Sequence, residues 1–82
     1  MDALVFLAEH HLAEGRADNA LAAVEKILAC DRTHLKAAEL GIKSWLQKQQ
    51  PEDARKFYRR CKDAFRKHLG IAPPPSLERL LA

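Results

Sequence analysis

Ala20-Leu21-Ala22-Ala23-Val24-Glu25-Lys26-Ile27 and Ala54-Arg55-Lys56-Phe57-Tyr58-Arg59-Arg60-Cys61 stand 34 residues apart in this chain of 82. Superposed on that interval, Ala20 falls on Ala54, Val24 on Tyr58 and Ile27 on Cys61. The same offset aligns the upstream pairs Leu4 with Ala38, Leu7 with Gly41, Ala8 with Ile42 and His11 with Trp45. Small and apolar residues recurring at helical spacing on both sides of one interval mark a unit of two helices that occurs twice.

A period of 34 residues with two helices per unit is the tetratricopeptide spacing, in which one unit cannot bury its apolar face without a neighbour. The first helix is expected from about Ala3 to Glu14, with Leu4, Leu7, Ala8, His11 and Leu12 inward and Gly15 as a left-handed stop. Asp18 is read as the cap of a second helix reaching about Cys30, with Leu21, Val24, Ile27 and Leu28 on its apolar side. A third helix spans about His34 to Gln49 and presents Leu35, Ala38, Ile42, Trp45 and Leu46. Pro51 opens a fourth, with Glu52 and Asp53 at its positive pole and Lys67 and His68 near its negative one. Gly70 ends it, Pro73-Pro74-Pro75 forces an extended strut, and Ser76 caps a last short turn bearing Leu77, Leu80 and Leu81. The expected architecture is therefore all-α: two tetratricopeptide-like helix-turn-helix repeats, about 1–34 and 35–68, with a strut and capping helix over 70–82, in one domain spanning 1–82.

Composition agrees. A hydrophobic content of 48% with only three glycines suits one small helical domain. A chain this short hides only roughly 60–65% of the surface it would expose unfolded, so a partner surface would help it. The apolar runs fall short of the roughly 18 residues a membrane span needs, and Met1-Asp2-Ala3 lacks the basic start of a secretory signal. A cytoplasmic location is expected, with no membrane partner. Cys30 and Cys61 form no CxxC pair and are read as small core residues.

Little in the chain carries chemistry. It has no glycine-rich phosphate loop, HExxH pattern or nucleophile elbow, so neither an enzyme nor a cofactor is expected. His10 and His11 are adjacent on a helix and point about 100° apart, which prevents them from converging on one ion. Cys30 and His34 straddle a helix break and offer only two ligands. Trp45, in the slot equivalent to His11, reads as packing between the helices of a unit.

Charge divides the chain. Residues 1–34 carry three basic and six acidic side chains, and 35–82 carry eleven and five. On the fourth helix Ala54, Phe57, Tyr58, Cys61 and Phe65 trace the buried stripe. That leaves Arg55, Arg59, Lys62 and Arg66 at i, i+4, i+7 and i+11 as an outer basic ridge: a solvated face, a track for phosphates, or a surface for head-to-tail packing against the acidic half of another copy.

Phe57-Tyr58-Arg59-Arg60-Cys61, followed by Leu69-Gly70-Ile71-Ala72-Pro73-Pro74-Pro75-Ser76-Leu77, resembles the end of the bacterial transcriptional activator domain; Gly15-Arg16, Ala20-Leu21 and Asp31 match it upstream. The resemblance covers nearly the whole chain. Arg32 stands where that family usually has proline, Gln49 where it has a turn glycine, and Lys67-His68 where it tends to have an acidic residue. The resemblance implies a tetratricopeptide-like module of a transcriptional regulator, associated with protein contacts and self-association.

Mapped on the repeat, the inner face of each first helix comprises Val5, Glu9, Leu12, Lys36, Glu39, Lys43 and Leu46. Such a face would take a protein or peptide, with the lysines favouring an acidic or carboxylate-ended one, or would stack against a preceding repeat. The other expectations are nucleic-acid contact through the basic ridge, and pairing of two copies through apolar helix faces.

Overall fold

The computed structural model describes residues 2–81; Met1 and Ala82, the ends of the expected domain, lie outside the described residues. Five helices follow in order: α1 (Asp2–Ala13), α2 (Ala17–Cys30), α3 (Leu35–Gln47), α4 (Pro51–Leu69) and α5 (Pro75–Leu80), with no strand among the described residues. The fold is an all-α helical repeat.

The turns show the repeat most plainly. After α1 the Gly15 amide donates to the Leu12 carbonyl and the Arg16 amide to His11; after α3 the Gln49 amide donates to Leu46 and the Gln50 amide to Trp45. Both are Schellman stops, and the two closing residues, Gly15 at φ 77° and Gln49 at φ 61°, stand 34 positions apart. Gln49 thus holds, without being glycine, the left-handed backbone that Gly15 holds in the first pair. Gly70 ends α4 with the simpler left-handed stop, at φ 68° and with its amide donating to the Arg66 carbonyl.

The Gly15 and Gln49 stops lead straight into the next helix, and the observed helix starts correct the expected caps. The N-cap of α2 is Arg16 with no side-chain bond, and Asp18, already helical, extends its carboxylate to Lys48 Nζ at 2.6 Å. The tie joins the two helix pairs. At α5 the N-cap is Pro74, because Pro75 with its preset φ occupies the first helical position and carries Ser76 into the helix. α3 is shorter at both ends than expected. His34 caps it, Nδ1 accepting from the Ala37 amide at 3.1 Å, and it stops at Gln47.

Packing follows the chain. α1 rests on α2, α2 on α3 and α3 on α4, while α1 and α5 both touch α3. With three-residue turns inside each pair, α2 and α4 run in the same direction. The core joins Ala8, Val24, Ile27, Ala38, Ile42, Phe57, Cys61 and Leu77, all nearly or wholly buried. Gly41 allows the closest approach in it, since a methyl there would overlap the Phe57 ring. α5 covers α3 by inserting Leu77, which retains no exposed surface.

Three expected core residues lie outside. Leu7 and Leu35 are 43% and 40% exposed, because they sit toward the rim of helices whose buried faces are centred on Ala8 and Ala38. Cys30 is exposed as the last residue of α2; Cys61 is buried as expected.

Candidate functional site

The face shared by α1 and α3 is built from an unusual helix. Of the twelve residues of α1, eight are apolar, and only one side of it rests on α2 and α3. Ala8 is fully buried there, with Leu4, Val5 and Leu12 packed against the same core. Phe6 points away and is 74% exposed. At 100° per residue Leu12, Val5, Glu9 and Phe6 span an arc of about 120°, so the phenyl ring extends the predicted inner face. The sequence reading missed Phe6. Its signal was the unbroken apolar run Leu4–Ala8, too wide for a single inward stripe.

The seven predicted inner-face residues divide by environment. Val5, Leu12 and Leu46 are half-buried against the core. Glu39 and Lys43 are half-buried and paired with each other at 3.0 Å, so the Lys43 ammonium already has a carboxylate. Glu9 and Lys36 are exposed, and among the described residues neither has an ion-pair partner. The two helices are fastened by Gln47 Nε2, which donates to the Leu12 carbonyl at 2.9 Å.

The basic ridge lies on α4. Arg55, Arg59 and Arg66 are exposed and outside any ion pair among the described residues, and Lys62 is half-buried. The four side chains span eleven residues, about 16 Å of helix. α5 brings an opposing charge, for Glu78 shares a shallow depression with Arg55, Tyr58 and Arg59. Burial, with Glu78 adding to it, pushes the Tyr58 hydroxyl above its ordinary value.

A cleft of about 390 Å³ opens between α2 and α4. Leu28, Cys61 and Ala64 form its floor, and Arg60 crosses one end to reach Glu25 at 2.7 Å. Burial pushes the Cys61 thiol up to about 11, opposed by Arg60 and aided by Glu25. The sequence pass gave no sign of this cleft, because it forms between second helices whose facing sides read as ordinary repeat packing.

The remaining chemical candidates stay apart. His10 reaches Glu14 at 3.5 Å, and the His10 and His11 rings stand 6.0 Å apart at a steep tilt. His11 Nδ1 is buried without a hydrogen-bond partner among the described residues. Trp45 is half-buried with the Lys48 ammonium 4.8 Å above its ring, a packing and cation–π role. Among the described residues no three histidine, cysteine or acidic side chains converge as metal ligands, and no helix is long and apolar enough to cross a membrane.

No curated protein and no solved structure matches the chain. The family model described as bacterial transcriptional activator domain, a domain of transcriptional regulators and not an enzyme family, matches residues 1–82. The chain belongs to the bacterial transcriptional activator domain family.

Proposed function

We propose that this chain is a non-catalytic self-association module of a cytoplasmic transcriptional regulator, in which the α1/α3 face closes against a second copy. The observation that carries the reading is Phe6, exposed on a helix apolar nearly all round. A helix of that kind takes partners on more than one side, and α1 has them on one. Val5, Leu12 and Leu46 continue the apolar surface, while Glu39 and Lys43 keep each other neutral within it. Glu9 and Lys36 fit a two-fold contact, in which Glu9 of each copy meets Lys36 of the other and both free charges are paired. The same Lys36 would serve an acidic or carboxylate-ended peptide if another protein took the face.

Charge reversal tests this arrangement. Glu9→Lys and Lys36→Glu each weaken association measured by sedimentation, and the double variant restores it. Equal association in all four proteins would remove the two-fold contact.

A second reading rests on the free guanidinium groups of Arg55, Arg59 and Arg66 beside Lys62: the α4 ridge contacts nucleic-acid phosphates. Glu78 beside Arg55 and Arg59 weakens it. It requires an oligonucleotide affinity that falls steeply with salt and a shallower slope after Arg59→Ala; no binding at low salt would end it.

A further inference from the structure

The cleft between α2 and α4 lies on helices that the proposed self-association does not use. We propose that it binds a small amphipathic carboxylate, with its apolar body on Leu28, Cys61 and Ala64 and its carboxylate on Arg32 and Lys67. At about 390 Å³ the cleft has the size of a small-molecule site, and its walls are mostly apolar. One end is closed and electrically neutral, because Arg60 is spent on Glu25 at 2.7 Å. The other end is not.

Lys67 lies seven residues, about 10 Å, along α4 from Arg60, and Arg32, in the turn that follows α2, lines the same cleft. Among the described residues neither is in an ion pair. His68 lines the same end, and Asp63 is the acidic group that opposes them, leaving cation in excess. The C-terminal carbonyls of α2 and α4 also disfavour an anion, but two helix ends together act as about one charge, against the two full cations of Arg32 and Lys67. Leu28 and Cys61 on the floor are buried apolar groups, so an apolar chain gains by leaving water there and a carboxylate at its edge is held more strongly than on open surface. A straight acyl chain of medium length spans the distance from the Glu25–Arg60 closure to the cationic end.

Octanoate is the probe, titrated into the intact ¹⁵N-labelled chain and followed by amide chemical shifts. Saturable shifts are expected at Leu28, Ala29, Ala64 and Lys67, with Kd on the order of 0.1–1 mM for a ligand of this size. Lys67→Glu and Arg32→Glu should each raise Kd roughly tenfold, the loss of one charge-assisted contact. Lys67→Gln, a milder change on an exposed side chain, should raise it in the same direction while leaving the spectrum of the free protein intact. Octanol, with the same apolar body and no charge, should bind more weakly than octanoate. Phe6→Glu should bind octanoate like the wild type, which separates this site from the self-association face. Shifts that never saturate, shifts centred on Phe6 and Leu7, or a Kd unchanged by both Lys67 variants would overturn the proposal.

Discussion

The two helix pairs share one backbone register and fill it with different side chains. Where the first pair has Leu7 and Ala23, the second has Gly41 and Phe57, so bulk moves from the first helix to the second. In the second pair the ring fills the space above Gly41; in the first, Leu7 is left 43% exposed. α3 packs against α1, α2, α4 and α5, whereas the main packing of α1 among the described residues is against α2 and α3. The repeat therefore specifies where helices lie, and the departures from it indicate which surface is closed and which is left open.

Undoing the closure of the second pair should have the largest effect. Leu77→Ala empties a fully buried site beneath α5 and should destabilise the chain by about 3 kcal/mol, while detaching the cap from α3. Chemical denaturation measures the loss. A change below about 1 kcal/mol would mean that α5 contributes little to holding α3.

The matched positions Ile27 and Cys61 give the next effect, which appears only in alkali. The Cys61 thiol titrates near 11 in the folded chain against 9.0 ordinarily, so the folded state keeps its proton where the unfolded chain has lost it. Its contribution is complete below about pH 9 and is lost as the pH rises through 11, by roughly 2–3 kcal/mol in all. Replacing Cys61 with the first pair's residue, as Cys61→Ile, removes this term. The stability difference between the two proteins should change between pH 8 and 11, and a constant difference would show that the thiol ionises freely.

Gly41→Ala tests the exchange of bulk directly. The added methyl overlaps the Phe57 ring, and overpacking of roughly 1–3 kcal/mol exceeds the gain of about 1 kcal/mol from alanine's helix propensity. A net loss of about 1 kcal/mol is expected, and Phe57→Leu in the same chain should recover part of it. Independent, additive effects would show that the two positions do not share the space.

Gln49→Gly should have the smallest effect and the opposite sign. Giving the second stop the first one's glycine relieves a left-handed glutamine, and the gain is reduced by glycine's greater freedom in the unfolded chain. Thermal unfolding should register a stabilisation of about 0.5 kcal/mol. A loss would mean that the Gln49 side chain makes up for its backbone.

Much of this fold was legible in the sequence, because periodicity and helix stops are local signals. Ala8, Ala20, Val24, Ile27, Ala38 and Ile42 are buried as their spacing requires, and Gly15, Pro51 and Gly70 bound their helices. The caps failed for a physical reason. Asp18 and Ser76 have capping chemistry, but a Schellman stop and a preset proline began their helices earlier. The site was harder to read. Spacing reports which side of a helix is apolar, not whether a neighbour covers it, so Phe6 was overlooked and Leu7 was placed inside. Lys43 was read as a free cation because its partner Glu39, one turn away, was assigned to the same binding face.

Molar mass by light scattering, for the wild type and Phe6→Glu from micromolar to millimolar concentration, tests the self-association most directly. The wild type should rise from 9.3 kDa toward twice that mass while Phe6→Glu stays at 9.3 kDa with its helical content unchanged. A wild type that remains at 9.3 kDa throughout, or two proteins that associate alike, would contradict a contact made through the open face of α1.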